Sequence, residues 1–247
     1  MRRLIISPET VQGDKIHVTD NEDIMYLANV LRMKAGDTLL VSDGIGRAWE
    51  TIIKNISRDS IELSIFSEQM TDEGTKTRVT LYQGLPKGSK MEEVVRKSTE
   101  IGVYSIIPVR TARSIPASGG KSDTKLERWQ RIAKEASRQS RRFRIPEVSK
   151  ITDFEDAVSE VADAEYDLVI ILFELEETRT LKQALREYGE KPRNIAVFIG
   201  PEGGFELSEV ESLVSEGAVS VTIGDTILRT ETAGPAAVAM ILYELDQ

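Results

Sequence analysis

Alternation of strand-like and helix-like segments over the last two thirds of the chain constrains the fold more than any other feature. The apolar runs typical of buried strands are RVTLYQGL, YSIIPV, DLVIILFE, IAVFIG and AVSVTIG. The helix-like segments between and after them are KMEEVVRKSTEI, TKLERWQRIAKEASRQSRRF, TLKQALREYG, ELSEVESLVSEG and ETAGPAAVAMILYEL. Such alternation predicts an α/β domain with a mostly parallel sheet covered by helices.

The first part of the chain has a different pattern, of short strands and tight turns. KIHVT and SIELSIF alternate, and TLLVSDGIGRAWETIIKNIS contains two strand-like runs around Asp43. One helix, EDIMYLANVLRM, begins after a cap at Asp20 or Asn21, and the chain turns at Gly36. The pattern predicts a small β-barrel-like domain over residues 1–72, a polar linker over 73–77 and the α/β domain over 78–247.

Composition excludes several classes of protein. The 247 residues include no cysteine, so disulfides and thiolate metal sites are excluded. The single histidine, His17, lies in an alternating strand, where a structural role is more common, so neither a metal site nor a Ser/His triad is supported. No apolar run reaches the ~20 residues of a membrane span, and the three-residue apolar run near the N-terminus is too short for a secretory signal. We therefore expect a cytoplasmic protein without membrane or metal partners.

Charge is segregated along the chain. The formal net charge is −9, but the window from Lys125 to Arg144 has eight basic and two acidic residues and carries +6. On a helix, Arg128, Arg131, Arg138 and Arg142 share an arc of about 80° beside an apolar arc. Guanidinium groups bind phosphate bidentately, so the stripe favours a polyanion over the alternative of a solvated face paired with carboxylates.

Two strand ends carry candidate binding loops. In IAVFIGPEGGFELSE, a buried strand passes into Gly200, Pro201, Gly203 and Gly204, which either bring backbone N–H groups near a ligand or only make a tight turn. In TIGDTILRTETAG, a strand ends at Gly224 and a loop carries Arg229 into the first turn of a helix. Ligands of open α/β sheets bind beyond the carboxyl ends of strands, where both loops lie.

Common nucleotide fingerprints are absent. LPKGSK lacks the spacing of a P-loop, although Lys87 and Lys90 remain candidate phosphate contacts. No G-x-G-x-x-G turn follows a strand, which argues against a dehydrogenase and an ordinary Rossmann-type methyltransferase.

Four segments in order nevertheless resemble one family. KGSKMEEVVRKSTEIGVYSIIPV, ERWQRIAKEASRQSRRFRIPEV, FIGPEGGFELSE and IGDTILRTETA are similar to motifs of the SPOUT-superfamily methyltransferases that modify N3 of a uridine in 16S ribosomal RNA. NVLRMKAGD resembles that family's N-terminal motif, but Tyr26 stands where the family often has a histidine. The resemblance implies an N-terminal PUA-like barrel, a C-terminal SPOUT domain with a deep trefoil knot, and a homodimer formed through the last helix and the knot face.

The resemblance also implies a cofactor, S-adenosylmethionine, and the residues of its site. The expected cofactor contacts are Phe173, Glu174, Gly200, Pro201, Gly203, Ile223, Gly224, Ile227, Leu228 and Arg229. Arg229 is expected to stabilise the uridine anion or to grip its phosphate, and Glu202 or Glu231 to accept the N3 proton. The expected contacts to ribosomal RNA on the small subunit are Arg32, Lys87, Lys90, Arg128, Arg131, Arg138, Arg141 and Arg142.

Three alternatives remain open at this point. A non-catalytic RNA-binding or ribosome-assembly protein needs the arginines but no cofactor. A SPOUT methyltransferase acting on another RNA has the same motifs. A small-molecule enzyme would use IGPEGG as an anion loop. The sequence leaves open which uridine is modified, whether free RNA or the subunit is the substrate, and the order of the strands.

Overall fold

A computed structural model describes residues 2–70, 77–114 and 122–245, which form two compact units. The first unit contains the described residues up to 70 together with Ser137–Ile145, and the second contains the remainder. Ser137–Ile145 lies within the predicted second domain, 78–247, but groups with the first unit. The predicted linker 73–77 lies outside the described residues apart from Thr77.

The first unit is built on a curled six-stranded sheet. Its strands are β1 (Arg2–Ile5), β2 (Val11–Gln12), β3 (Lys15–Val18), β4 (Thr38–Ser42), β5 (Arg47–Ile56) and β6 (Ile61–Met70). Their order is β1-β4-β5-β6-β3-β2, with every pair antiparallel except β1 with β4. Two register shifts between β5 and β6 bend the sheet around a core that includes Leu27, Leu39 and Leu63. The predicted small β-domain is confirmed.

Only the first part of the predicted helix in this unit is an α-helix. The α-helix α1 (Asn21–Met25) is capped by Asp20, whose side chain accepts from the Asp23 N–H, as one of the two predicted caps. A single π-helical turn, Tyr26–Val30, follows, and Arg32 then adopts a left-handed φ of 51°. π-turns and left-handed non-glycine residues carry strain that apolar periodicity does not reveal.

Arginines attach Ser137–Ile145 to the first unit. Arg138 pairs with Asp23 and lies 5.4 Å above the ring of Tyr26. The guanidinium of Arg3 lies 4.4 Å above the ring of Phe143, and the Ser42 hydroxyl donates to the Phe143 carbonyl at 3.1 Å. These contacts explain why this part of the chain folds with the first unit.

A buried carboxylate organises the turn between β4 and β5. Oδ1 of Asp43 accepts the backbone N–H groups of Ile45, Gly46 and Arg47, each at 3.0 Å, and Oδ2 accepts from Arg47 Nε at 3.2 Å. Burial of the carboxyl opposes ionisation, but these donors outweigh it and hold the pKa of Asp43 below its usual value.

We expect Asp43→Ala to destabilise the protein by about 2 kcal/mol, because three backbone donors in a buried turn lose their acceptor. Since the folded-state pKa is depressed, the stabilisation by Asp43 is present above the unfolded-state pKa of about 4 and is lost as pH falls through the folded-state value. Urea unfolding of wild type, Asp43→Ala and Asp43→Asn at pH 7 and pH 3 checks both effects. Asparagine keeps one acceptor, so an Asp43→Asn loss equal to that of Asp43→Ala at pH 7 would contradict the assignment.

The second unit has a parallel sheet covered by helices, as predicted. Its strands are β7 (Arg78–Gly84), β8 (Ser105–Arg110), β9 (Glu147–Val148), β10 (Thr152–Asp153), β11 (Leu168–Leu172), β12 (Asn194–Ile199) and β13 (Val219–Val221). The order is β10-β8-β7-β12-β11-β13, with β9 also on β8, and every pair is parallel. The helices are α2 (Lys90–Ile101), α3 (Ser122–Gln139), α4 (Phe154–Asp163), α5 (Leu181–Glu187), α6 (Leu207–Ser215) and α7 (Thr230–Leu245). The trefoil knot stays a prediction.

Some elements of this unit were not predicted. Helix α4 was not among the predicted helices, although it buries Phe154, Ala157, Val158 and Val161 at a helical spacing that is present in the sequence. Strands β9 and β10 have two residues each, too few for a periodic signal. Helix α3 ends at Gln139, although the pattern predicted a helix to Phe143. Arg141 has a left-handed φ of 60°, which interrupts the helical backbone. No helix in the described ranges combines the length and apolar character needed to cross a membrane.

Candidate cofactor and catalytic site

One cavity of about 910 Å³ lies at the carboxyl ends of β11, β12 and β13 and at the start of α7. Ligand sites of open parallel sheets occur at this edge, and the volume suits a cofactor-sized molecule. All ten residues predicted to contact the cofactor line the cavity. The lining also includes Lys90, Glu202 and Glu231, whereas Lys87 is not part of it. The structure therefore brings together residues that the sequence places on separate loops.

The turn after β12 is closely packed. A Cβ at Gly200 would lie 3.1 Å from the backbone of Gly204, and Gly204 has a left-handed φ of 68°. A Cβ at Gly84, the last residue of β7, would lie 2.7 Å from both the ring Cδ and the backbone nitrogen of Pro201. The glycines are thus required for the turn to fold on itself and to pack on β7, in addition to any approach to a ligand. Gly84 was missed in the sequence because it ends an ordinary strand pattern.

A second wall comes from the loop between β13 and α7. The Thr222 hydroxyl donates to the Gly224 carbonyl at 3.0 Å, and Gly224 has a φ of 146°. Backbone bonds join this loop to its neighbours, because Phe173 N–H donates to Val221 and Leu181 N–H donates to Thr222. The loop is held at its start and leads directly to Arg229 and helix α7.

Acidic side chains dominate the cavity. Its carboxylates are Glu174, Glu176, Glu177, Glu202, Asp225 and Glu231, and its cationic side chains are Lys90 and Arg229. One oxygen of Glu231 is buried and has no hydrogen-bond partner within the described residues. A cationic ligand with hydrogen-bond donors would satisfy these acceptors, and S-adenosylmethionine, with its sulfonium and ammonium groups, is such a ligand. The residues present therefore fit this cofactor.

The two candidate bases have different surroundings. Oε1 of Glu202 is 2.8 Å from Lys90 Nζ and 3.1 Å from the backbone nitrogen of Lys87. Partial burial opposes ionisation of Glu202, but the Lys90 ammonium and the backbone N–H groups outweigh it and lower its pKa. Oε2 of Glu231 is 3.7 Å from Lys90 Nζ, beyond hydrogen-bond distance. A carboxylate of lowered pKa is a poorer proton acceptor, which counts against Glu202. The buried oxygen of Glu231 that lacks a hydrogen-bond partner within the described residues favours Glu231.

Arg229 is exposed at the cavity and forms no side-chain hydrogen bond or ion pair with any described residue. Its backbone carbonyl accepts the N–H groups of Thr232 and Ala233 in the first turn of α7. The backbone is thus fixed and the guanidinium is available to a ligand. This arrangement suits stabilisation of a developing negative charge.

The predicted RNA contacts differ in how accessible they are. Arg131 and Arg141 are exposed, and so is Arg32. Arg128 remains 59% exposed although it pairs with Glu92 at 2.8 Å, whereas the side chain of Arg138 is only 13% exposed in its pair with Asp23. Arg142 is partly buried, and Lys90 is paired with Glu202. Arg128 and Arg138 thus have carboxylate partners from elements distant in sequence, which helical periodicity alone did not reveal.

Within residues 2–70, 77–114 and 122–245, no group of three or more His, Asp or Glu residues is arranged to hold a metal ion.

Comparison with known proteins finds similarity to RNA methyltransferases over nearly the whole chain. A family model described as the RNA methyltransferase domain matches residues 73–242, and one described as the RNA methyltransferase PUA domain matches residues 18–66. Ribosomal RNA small subunit methyltransferase E of Bacillus subtilis is 31% identical over 91% of this chain and 89% of that protein. The protein of the same name from Synechocystis is 33% identical over 97% of this chain and 76% of its own length. The Neisseria gonorrhoeae protein of that name, solved bound to S-adenosyl methionine, has a TM-score of 0.84 at 28% identity and covers 99% of this chain and 98% of its own.

Proposed function

The chain belongs to the RNA methyltransferase family, and from this premise we propose that it transfers a methyl group from S-adenosylmethionine to N3 of a uridine in small-subunit ribosomal RNA. The family and the PUA domain predicted from the sequence motifs are thereby confirmed. The observation that carries the proposal is the cavity at the carboxyl edge of the sheet. It joins ten predicted cofactor contacts, an acidic lining and one arginine available to a substrate.

Binding of the cofactor would use the backbone of the three loops and their carboxylates. S-adenosylmethionine supplies an electrophilic methyl group on its sulfonium. The turn at Gly200 and the loop at Gly224 offer backbone groups close to the cavity, because neither residue carries a Cβ. The acidic lining attracts a cation and disfavours the negatively charged RNA backbone inside the cavity.

Methylation at N3 requires removal of the N3 proton, or stabilisation of the anion that forms, while the base is held in line. Arg229 provides a cation for the uridine oxygens or a neighbouring phosphate. Glu231, with its unsatisfied buried oxygen, accepts the proton, while Glu202 holds Lys90 in place. The uridine must be unpaired or flipped, since N3 takes part in a Watson–Crick pair.

Recognition of RNA depends on exposed cations and on the PUA domain. Arg131 on α3 is exposed, and so are Arg32 and Arg141 in the first unit, which supports a role in binding phosphate. The remaining net negative charge limits non-specific association with RNA. Sequence choice would follow the shape of the folded RNA.

We expect Arg131→Ala to weaken RNA binding and to lower the slope of log K against log salt by about 0.7 to 0.9, the value of one lost phosphate contact. Arg128→Ala is the matched control, because Arg128 lies on the same helix but is paired with Glu92. Fluorescence anisotropy with a labelled fragment of small-subunit RNA at several salt concentrations measures both slopes. Equal slopes for Arg131→Ala and wild type would exclude Arg131 from the RNA contact.

Two further features complete the proposal. Met240 and Tyr243 on α7 are 44% and 69% exposed, which suits a homodimer formed through the last helix. The proposed compartment is the cytoplasm, since the proposed substrate is ribosomal RNA.

The direct test is transfer of a labelled methyl group from S-adenosylmethionine to unmodified small subunits and to their naked RNA, followed by nucleoside mass spectrometry. We expect 3-methyluridine. A different methylated nucleoside would overturn the base position, whereas cofactor binding without any transfer would overturn the substrate. Absence of cofactor binding would favour a non-catalytic RNA-binding protein.

A further inference from the structure

A buried amide of β7 connects two parts of the cavity lining, the turn after β12 and the start of α7. Gln83 is fully buried near the end of β7, and its Nε2 donates to Thr230 Oγ1 at 2.9 Å and to the Gly84 carbonyl at 3.1 Å. The Thr230 hydroxyl donates to the Gly200 carbonyl at 2.6 Å. This chain of hydrogen bonds connects β7, the turn after β12 and the first residue of α7.

The available protons fix the direction of this chain. Backbone carbonyls only accept, so the single hydroxyl proton of Thr230 goes to Gly200 and its oxygen accepts from the Gln83 amide. Oε1 of Gln83 is therefore on the opposite side, where it is buried without a hydrogen-bond partner in the described part of the chain. A Cβ at Gly234 of α7 would lie 2.8 Å from this oxygen. Gly234 thus allows the helix to pack against the amide.

We propose that Gln83 and Thr230 are positioning residues for the cofactor site, an inference that rests on the proposed function and deepens it. The peptide between Gly200 and Pro201 has no N–H, so its carbonyl is the only group through which hydrogen bonding fixes its plane. Thr230 provides that hydrogen bond. Thr230 also lies between Arg229 and Glu231 in the sequence. Its hydrogen bond to Gly200 therefore also holds the backbone from which the side chains of Arg229 and Glu231 extend. Gln83 acts through Thr230 by satisfying its oxygen.

The inference is tested with Thr230→Val, which keeps the shape of threonine and removes its hydroxyl, and with Thr230→Ser, which keeps the hydroxyl. Isothermal titration calorimetry gives the dissociation constant for S-adenosylmethionine, and methyl transfer gives kcat and KM for the cofactor. We expect Thr230→Val to bind S-adenosylmethionine at least tenfold more weakly, because the partly buried Gly200 carbonyl loses this donor. We expect Thr230→Ser to stay within about threefold of wild type. Gln83→Met breaks the same chain at its other end, so it provides the measurement if Thr230→Val does not fold. The double variant Gln83→Met/Thr230→Val is expected to have the same cofactor affinity as the single variant that binds less tightly. The two substitutions break one linked set of contacts, so their effects do not add.

Thr80→Val is the matched control. Thr80 is buried on the same strand, and its hydroxyl bonds the Ser105 hydroxyl at 3.0 Å, a contact outside the cavity lining. We expect this variant to lose stability but to keep the wild-type cofactor affinity. Wild-type affinity in folded Thr230→Val and Gln83→Met, or an equal loss in Thr80→Val, would overturn the inference. If wild type binds the cofactor but transfers no methyl group to RNA, the proposed substrate fails while the binding comparison still decides the role of these two residues.

Discussion

Arg229→Ala is expected to lower kcat for methyl transfer by about 10²- to 10³-fold, as does removal of a group that stabilises transition-state charge in other enzymes. The reason is that the guanidinium has no partner among the described residues and is exposed at the cavity, so its charge is available to the substrate. Affinity for S-adenosylmethionine should stay within about threefold, because the cofactor would contact the backbone of this loop and not the guanidinium. Single-turnover assays on small subunits, with calorimetry for the cofactor, separate the two effects.

Arg193→Ala is the control for this substitution. Arg193 is exposed and immediately precedes β12, at the opposite end of that strand from Gly200. It should retain wild-type kcat. Arg229→Lys keeps the charge but loses bidentate geometry, so we expect intermediate activity. If Arg229→Ala retains both cofactor affinity and turnover, Arg229 has no role in the chemistry.

Gly84→Ala is expected to weaken S-adenosylmethionine binding by about 10- to 100-fold. The new methyl group would lie 2.7 Å from the ring and backbone nitrogen of Pro201, so either β7 or the turn after β12 must move. Overpacking of this kind costs about 1–3 kcal/mol, and a turn that shifts to relieve it no longer matches the cofactor. Calorimetry measures the affinity, and thermal unfolding with and without cofactor measures how much less the cofactor stabilises the variant.

Gly217→Ala provides the comparison. Gly217 has a φ of 91°, and no atom lies within 4 Å of the position of its Cβ, so alanine there introduces backbone strain without a clash. It should lower stability but leave cofactor affinity unchanged. Equal cofactor affinity in Gly84→Ala and wild type would show that the turn tolerates displacement, and the packing argument would be wrong.

The sequence predicted the parallel sheet and the loops of the site because both depend on local patterns. Buried parallel strands are continuous apolar runs, and the loops that follow them contain glycines and polar residues in a recognisable order. Gln83 was not predicted, because its role does not depend on a local pattern. It is a polar residue within a strand pattern, and its role depends on Thr230, which lies 147 residues away in the chain.

The arginine stripe shows a second limit of sequence patterns. The apolar arc that periodicity places beside the arginines contains Trp129, Ile132 and Ala133, and all three are buried on α3. Periodicity did not indicate that Arg138 pairs with Asp23, because a helical wheel contains no information about residues of another element. The same holds for Arg128 and Glu92. Partners that are distant in sequence decide which cations remain available, and only the fold supplies them.

Assignment of Ser137–Ile145 to the first unit affects how the protein can be made on the ribosome. Chains fold domain by domain as they emerge, and the N-terminal part usually folds first. Here the N-terminal unit lacks a packed segment until residue 145 has left the exit tunnel, when the first two strands of the parallel sheet and helices α2 and α3 have already been synthesised. When the first unit becomes complete during translation, the parallel sheet of the second unit therefore has only its first two strands, β7 and β8. A gene fragment that stops after the first seventy residues would encode a unit without the contacts of Phe143 and Arg138.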